Sequence, residues 1–130
     1  GSRESKMPQE MESCAVSGQK KTVVVISSDK MGEGEAELGT ILMKGFVYAL
    51  TQLETLPTRI LLYNKCAYLS CEGSPVLEDL QILSEAGVEI LTCGTCLNYY
   101  GLEEKLKAGS VVNMYRIVET QAEADLIIKP

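Results

Sequence analysis

Two cysteines separated by two residues, Cys93 and Cys96, carry the chemistry this chain can offer. They stand in the run Leu91-Thr92-Cys93-Gly94-Thr95-Cys96-Leu97-Asn98-Tyr99-Tyr100-Gly101-Leu102, directly after the short apolar stretch Val88-Glu89-Ile90-Leu91. That order places the pair at the C-terminal mouth of a strand, where open parallel sheets collect their reactive groups. A thiolate is a nucleophile and a thiol is not, so the pair works only if its surroundings favour ionisation. Backbone N–H groups at a strand end or a helix start do this, and Lys or Arg are the available charge partners, because the chain has no histidine. The absence of histidine and tryptophan removes most acid–base and metal constellations at once.

Three chemistries use such a pair. Dithiol–disulfide exchange is the first, but the pair does not follow the first strand of the domain and no cis-proline partner is evident. Zinc held by Cys66, Cys71, Cys93 and Cys96 is the second, since four thiolates make a tetrahedral site, yet a compact α/β domain needs no zinc to fold. Sulfur relay is the third. A cysteine takes a sulfur atom as a persulfide and passes it to another thiol, which requires an exposed thiolate, a docking surface and no cofactor. The residues exclude this reading least. The plain alternative is that both cysteines pack as small apolar groups. Their polar neighbours Gly94, Thr95 and Asn98 argue against that. Cys66 and Cys71 follow the second strand, where one of them could serve as a resolving thiol. Tyr99 and Tyr100 suit a small pocket or an interface. Asn64, Asn98 and Asn113 are placed to orient loops.

The elements that position these residues follow from periodicity. Thr22-Val23-Val24-Val25-Ile26-Ser27 is an unbroken β-branched run, as expected of a strand buried on both faces. An acidic loop with Gly32-Glu33-Gly34 follows. A phosphate cradle at this position wants a lysine or hydroxyl, whereas Glu33, Glu35 and Glu37 repel phosphate, so nucleotide binding is rejected and the carboxylates are assigned to the helix dipole. Leu38, Ile41, Leu42, Gly45, Phe46, Ala49, Leu50 and Leu53 predict an amphipathic helix, closed by Pro57. Arg59–Tyr63 is a second strand, and 64–74 is a loop. Ser74 as N-cap and Pro75 in the first turn open a helix with Val76, Leu77, Leu80, Leu83 and Ala86 inward, ended by Gly87. Val88–Thr92 is the third strand, followed by the cysteine loop, a short helix over Leu102–Ala108 stopped by Gly109, a weak strand Val111–Tyr115, a helix Arg116–Ala124 and a last strand Asp125–Lys129. Alternating strands and helices specify an open α/β sheet covered on both faces.

The 130 residues suggest one domain. The net charge of -6 disfavours nucleic-acid binding. No apolar run is long enough to span a membrane, and no secretory signal is seen. Five cysteines, an odd number, fit a reducing, cytoplasmic setting better than a disulfide scaffold. Residues 1–20 read as a flexible polar linker with Gly1-Ser2 as a cloning scar and Cys14 incidental, and 21–130 as the folded domain.

The pattern resembles a known family. Met31-Gly32-Glu33-Gly34, Leu38–Phe46, Tyr63-Asn64, Gly73–Leu77, Gly87–Leu91, Cys93–Leu102, Gly109–Tyr115 and Ala124-Asp125 are together similar to the DsrE-like domain of YedF-type selenium-metabolism proteins. The resemblance covers residues 22–130. It implies a three-layer α/β/α domain with a largely parallel five-stranded sheet, and assembly into homo-oligomers. It also implies a relay cysteine about eight residues before a glycine, a place that Cys93 fills relative to Gly101. Cys96 matches the second cysteine of the YedF-type motif, and Gly94, Thr95, Asn98, Tyr99, Gly101 and Asn64 form the supporting loop. Full-length relatives carry an N-terminal TusA-like domain, the implied sulfur or selenium partner. The expected function is thus a cysteine-based sulfur or selenium relay in which Cys93 accepts the atom and Cys96 resolves or activates it, without cofactor or metal. Turnover is expected to depend on a partner domain, so enzymatic activity in isolation is left open. A non-catalytic α/β assembly module with ancillary cysteines is the alternative, and a structural zinc domain a lesser one.

Overall fold

The computed structural model describes residues 20–130. The segment read as tag scar and linker, Cys14 included, lies outside the described residues except for Lys20. Five strands, β1 (Thr22–Ile26), β2 (Arg59–Leu62), β3 (Glu89–Cys93), β4 (Ser110–Val112) and β5 (Leu126–Ile128), form one sheet in the order β4-β3-β2-β1-β5. Every neighbouring pair is parallel, with Val24 opposite Ile60, Ile60 opposite Ile90, and Cys93 opposite Val112. β1 sits inside the sheet, which is why its valines are buried on both faces and its sequence shows no alternation.

Among the described residues four α-helices flank the sheet: α1 (Ala36–Thr51), α2 (Leu77–Glu85), α3 (Gly94–Tyr99) and α4 (Met114–Ala122). On one face Val24, Ile26, Ile60, Leu62 and Ile90 pack with Met43, Val47 and Leu50 of α1 and Leu80 and Leu83 of α2. On the other face Val23, Val25, Leu61, Leu91 and Cys93 pack with Ile117 of α4. The result is the expected three-layer α/β/α arrangement, and the sheet is wholly parallel rather than largely so.

Local structure departs from the periodicity in informative places. α1 exists, but its buried face is Gly39, Met43, Val47 and Leu50. Of the stripe expected to face the core, Leu50 is buried and Phe46 partly so, while Leu38, Ile41, Leu42 and Leu53 are exposed, Ile41 by 59%. The helix is apolar on two sides, so spacing alone cannot choose the inward one. α2 starts at Leu77 rather than at Pro75: Ser74 Oγ accepts from the Val76 N–H at 3.1 Å, which makes a turn ahead of the helix instead of a cap on it. Gly87, at φ +105°, follows the end of α2 as expected.

The cysteine segment expected as a loop is helical from Gly94, and Leu102–Ala108, expected as a helix, is not. The backbone donors of that stretch are taken elsewhere. Lys107 and Ala108 N–H groups both donate to Ser70 O, at 2.9 and 3.2 Å, and Leu106 pairs with Cys71 in an isolated bridge. These long-range partners within the chain, rather than a local helical ladder, satisfy the end of the stretch. Asn64–Ser70, expected as loop, forms a 3-10 helix that supplies these acceptors. At the end of the stretch Gly109 has φ +75°, and a Cβ there would lie 2.1 Å from Ile90 O. Only glycine lets the chain pass this close to β3 and enter β4. Asn113 Oδ1 accepts from the Arg116 N–H at 2.9 Å and caps α4, which therefore begins before Arg116.

Candidate functional site

The site is built where β2 and β3 end. Thr92 and Cys93 are fixed by the ladders on either side, to Leu62 of β2 and to Val111 and Val112 of β4. The Thr92 hydroxyl lies 2.8 Å from that of Ser70, a fully buried pair that ties β3 to the 3-10 helix. The chain then turns directly into α3, with Cys93 as the N-cap residue and Cys96 in the first turn. At Gly94 β4 is close: a Cβ would meet Val111 Cγ1 at 3.0 Å, and that side chain would have to give way. The C-terminal end of α3 is closed by the N–H groups of Gly101 and Leu102, which donate to Asn98 O and Leu97 O. Asn98 Nδ2 donates to Glu103 Oε2 at 2.9 Å and braces the turn from outside.

The two cysteines differ sharply in setting. Cys93 is 1% exposed and belongs to the apolar cluster of Val23, Val25, Leu61, Leu91 and Ile117. Cys96 is half-buried and lines a cavity of about 290 Å³ with Asn64, Thr95, Tyr99 and Tyr100. The two thiols are near enough for Cys93 to push the Cys96 thiol up. Both are free, as are Cys66 and Cys71.

Asn64 reaches the site through its backbone. Its φ is +56°, the single left-handed non-glycine residue among the described residues. In this conformation its N–H donates to Cys96 Sγ at 3.0 Å. A left-handed L-residue costs about 1–2 kcal/mol, and asparagine tolerates it best. Tyr100 stacks between Tyr68 and Tyr99, each ring centroid 5.1 Å away, and Tyr99 stands 81% exposed at the rim. Among the described residues no charged side chain lines the cavity.

At Cys96 the expected depression of the thiol pKa is reversed. Burial pushes the Cys96 thiol up, the Asn64 N–H opposes that shift, and the neighbouring Cys93 reinforces it. Among the described residues no Lys or Arg side chain lines the cavity to supply the positive charge that the sequence reading required.

Of the residues singled out from sequence, Cys96, Asn64, Thr95 and Tyr99 meet at the cavity, while Cys93 lies behind it. Gly94, Asn98 and Gly101 shape α3 and its exit. Cys66 is fully buried against the other sheet face, and burial, with Asp29 second, holds its thiol well above the ordinary value. That removes it as a resolving cysteine. Cys71 is buried with Ala67, Leu97 and Leu102, and its S–H donates to Ala67 O at 3.2 Å. The four-thiolate zinc site does not assemble: among the described residues no three His, Cys, Asp or Glu side chains gather as a metal would need. Tyr68 was not foreseen, because it joins the aromatic stack only through the 3-10 helix. A second cavity, of about 340 Å³ and lined by residues including Asp29, Thr40, Lys65, Glu72 and Ser74, was equally invisible in sequence, since it draws on distant segments.

The family model for the DsrE/DsrF-like family matches residues 20–130. The chain belongs to the DsrE/DsrF-like family. This is a family associated in general with sulfur relay. None of the curated proteins matches the chain. Among solved structures, the ychN protein from E. coli superposes with a TM-score of 0.67 at 16% identity, covering 86% of this chain and 100% of its own. MTH1491 from Methanobacterium thermoautotrophicum, described as a protein of unknown function, gives a TM-score of 0.66 at 23% identity, with 86% and 100% covered. BT1422 from Bacteroides thetaiotaomicron gives 0.56 at 11% identity, with 85% and 95% covered. At these identities the likeness establishes the shared fold. Among the described residues no helix is long and apolar enough to cross a membrane.

Proposed function

We propose that this DsrE/DsrF-like domain is a cysteine-based sulfur relay of the YedF type, in which the Cys93–Cys96 pair carries sulfur, or selenium, between partner thiols. The observation that carries the reading is the placement of two free cysteines in one turn at the end of β3, one of them on a small aromatic cavity open to solvent. A relay needs little else. Exchange between persulfide and thiol is redox-neutral and uses no cofactor or metal. The natural partner in this reading is a TusA-like carrier domain, and the working compartment is the cytoplasm.

Homo-oligomer formation is part of the same proposal. It is supported by the solvent-facing apolar side chains of α1, Leu38, Ile41, Leu42 and Tyr48, which no other element covers among the described residues. Monomeric proteins rarely leave such a contiguous apolar patch open. The same patch favours the second reading, an assembly module with ancillary cysteines.

Intact-mass spectrometry after incubation with a persulfide donor decides between the two readings. The relay predicts a gain of about 32 Da on the reduced protein, transferable to a reduced TusA-like domain. The assembly module predicts no gain. Analytical ultracentrifugation of Leu38→Glu and Ile41→Glu tests the association itself, and an unchanged sedimentation coefficient in both variants would remove it.

A further inference from the structure

We infer that Cys96, and not Cys93, is the thiol that receives sulfur from outside, and that its cavity selects an alkyl persulfide over a charged oxyanion donor such as thiosulfate. This rests on the relay reading and assigns its direction.

Access decides the first half. A donor sulfur must come within bonding distance of the attacking sulfur, along the axis of the bond it breaks. Cys93, 1% exposed and enclosed by Val25, Leu61, Leu91 and Ile117, offers no such approach. Cys96 is half-buried and lines the cavity. It also holds the one external donor in the site, the Asn64 N–H at 3.0 Å. A sulfur that accepts a backbone N–H is better stabilised as thiolate or persulfide anion than one without such a donor. The strained backbone of Asn64, at φ +56°, is what aims that N–H. Asn64 is thus a positioning residue for Cys96, while Cys93 backs the same sulfur from the core side.

The cavity wall decides the second half. Asn64, Thr95, Tyr99 and Tyr100 present amide, hydroxyl and aromatic surface, and among the described residues no cation joins them. A dianion entering there would lose hydration with no ion pair in return. An alkyl persulfide brings an apolar stem that the tyrosine rings accommodate. The step is balanced without a redox partner. The Cys96 thiolate attacks the terminal sulfur of R–S–SH, the donor S–S bond breaks as the Cys96 S–S bond forms, and the bonding pair leaves with the alkyl thiolate. The proton stays on the transferred sulfur, giving Cys96–S–SH.

The test uses the reduced full chain, cysteine persulfide and thiosulfate as separate probes, and wild type, Cys93→Ala, Cys96→Ala, Asn64→Val and Asn64→Gly, each checked for folding by circular dichroism. The expected result is a gain of about 32 Da from cysteine persulfide on wild type and on Cys93→Ala, and none on Cys96→Ala. Thiosulfate should load wild type at least tenfold more slowly. Valine cannot hold the left-handed backbone of position 64, so Asn64→Val should move the pH midpoint of Cys96 alkylation upward and slow loading several-fold, and glycine should rescue both. Loading of Cys96→Ala at the wild-type rate, or loss of loading in both cysteine variants, would overturn the assignment while leaving the relay standing. Thiosulfate loading as fast as persulfide would overturn the donor class. No gain on wild type, with its thiols shown reduced and alkylatable, would sink the relay reading itself and this inference with it.

Discussion

Gly109→Ala is expected to be among the most damaging single-methyl additions in this domain. The new Cβ would lie 2.1 Å from Ile90 O and 2.5 Å from Ile90 Cβ, where ordinary contact begins at 3.4 Å, a shortfall of 1.3 Å against the oxygen. Neither neighbour is a flexible side-chain end: one is the β3 backbone and the other a β-carbon in the core. Relief therefore requires the entry of β4 to move away from β3. The left-handed backbone, φ +75°, costs about 1–2 kcal/mol once a Cβ is present. Loosening one or two backbone hydrogen bonds of the β3–β4 ladder adds about 1 kcal/mol each. The total is about 3 kcal/mol, a large part of the ~5–15 kcal/mol that keeps a domain of this size folded. Urea unfolding followed by circular dichroism reads this directly, and the midpoint should fall with little change in slope. The same substitution at Gly45 is the control, because there the Cβ meets nothing within 4 Å on a helix surface, so alanine should be neutral or stabilising by up to ~1 kcal/mol. Cys93 pairs with Val112 in the same ladder, so a retreating β4 should also speed alkylation of Cys93. A Gly109→Ala protein within about 0.5 kcal/mol of wild type, the scale of an ordinary surface change, would refute the reasoning.

Three further outcomes follow from the same geometry. Ser70→Ala leaves the buried Thr92 hydroxyl without its 2.8 Å partner and should cost about 1–3 kcal/mol, whereas adding Thr92→Val should recover part of the loss, as a double-mutant unfolding cycle would show. The Cys66 thiol is held well above its ordinary value of 9.0 by burial, so the unfolded chain releases a proton at alkaline pH that the folded chain retains. Its contribution is fully present below the ordinary thiol range and is lost as pH rises above about 9, and Cys66→Ala should flatten the alkaline slope of unfolding free energy. Arg59 donates to Glu89 across β2 and β3 at 2.6 Å, but Glu89 is half-exposed, so Glu89→Gln should change stability by less than about 1 kcal/mol and less still in high salt.

The sequence by itself determined the order of strands and helices, and with it the fold. Uninterrupted β-branched runs such as Val23–Ile26 have one stable use in a soluble domain, a strand covered on both faces, and the intervening periodic segments supply the covers. The same reasoning placed Cys93 and Cys96 at the end of β3 and made Asn64, Asn98 and Asn113 loop-orienting residues; Asn98 and Asn113 do it through their side chains and Asn64 through its backbone N–H. Local pattern could not choose between two apolar sides of α1, because both satisfy the same spacing and only the position of the sheet and α2 selects Met43 and Val47 over Leu38 and Ile41. Nor could it tell that Lys107 and Ala108 would give their N–H groups to Ser70, a partner more than thirty residues away, or that the helix would begin at Gly94. The difference between the two cysteines is of the same kind. Side by side in sequence they are alike, and it is the packing of α4 over one and the left-handed turn of Asn64 beside the other that bury Cys93 and bring Cys96 to solvent.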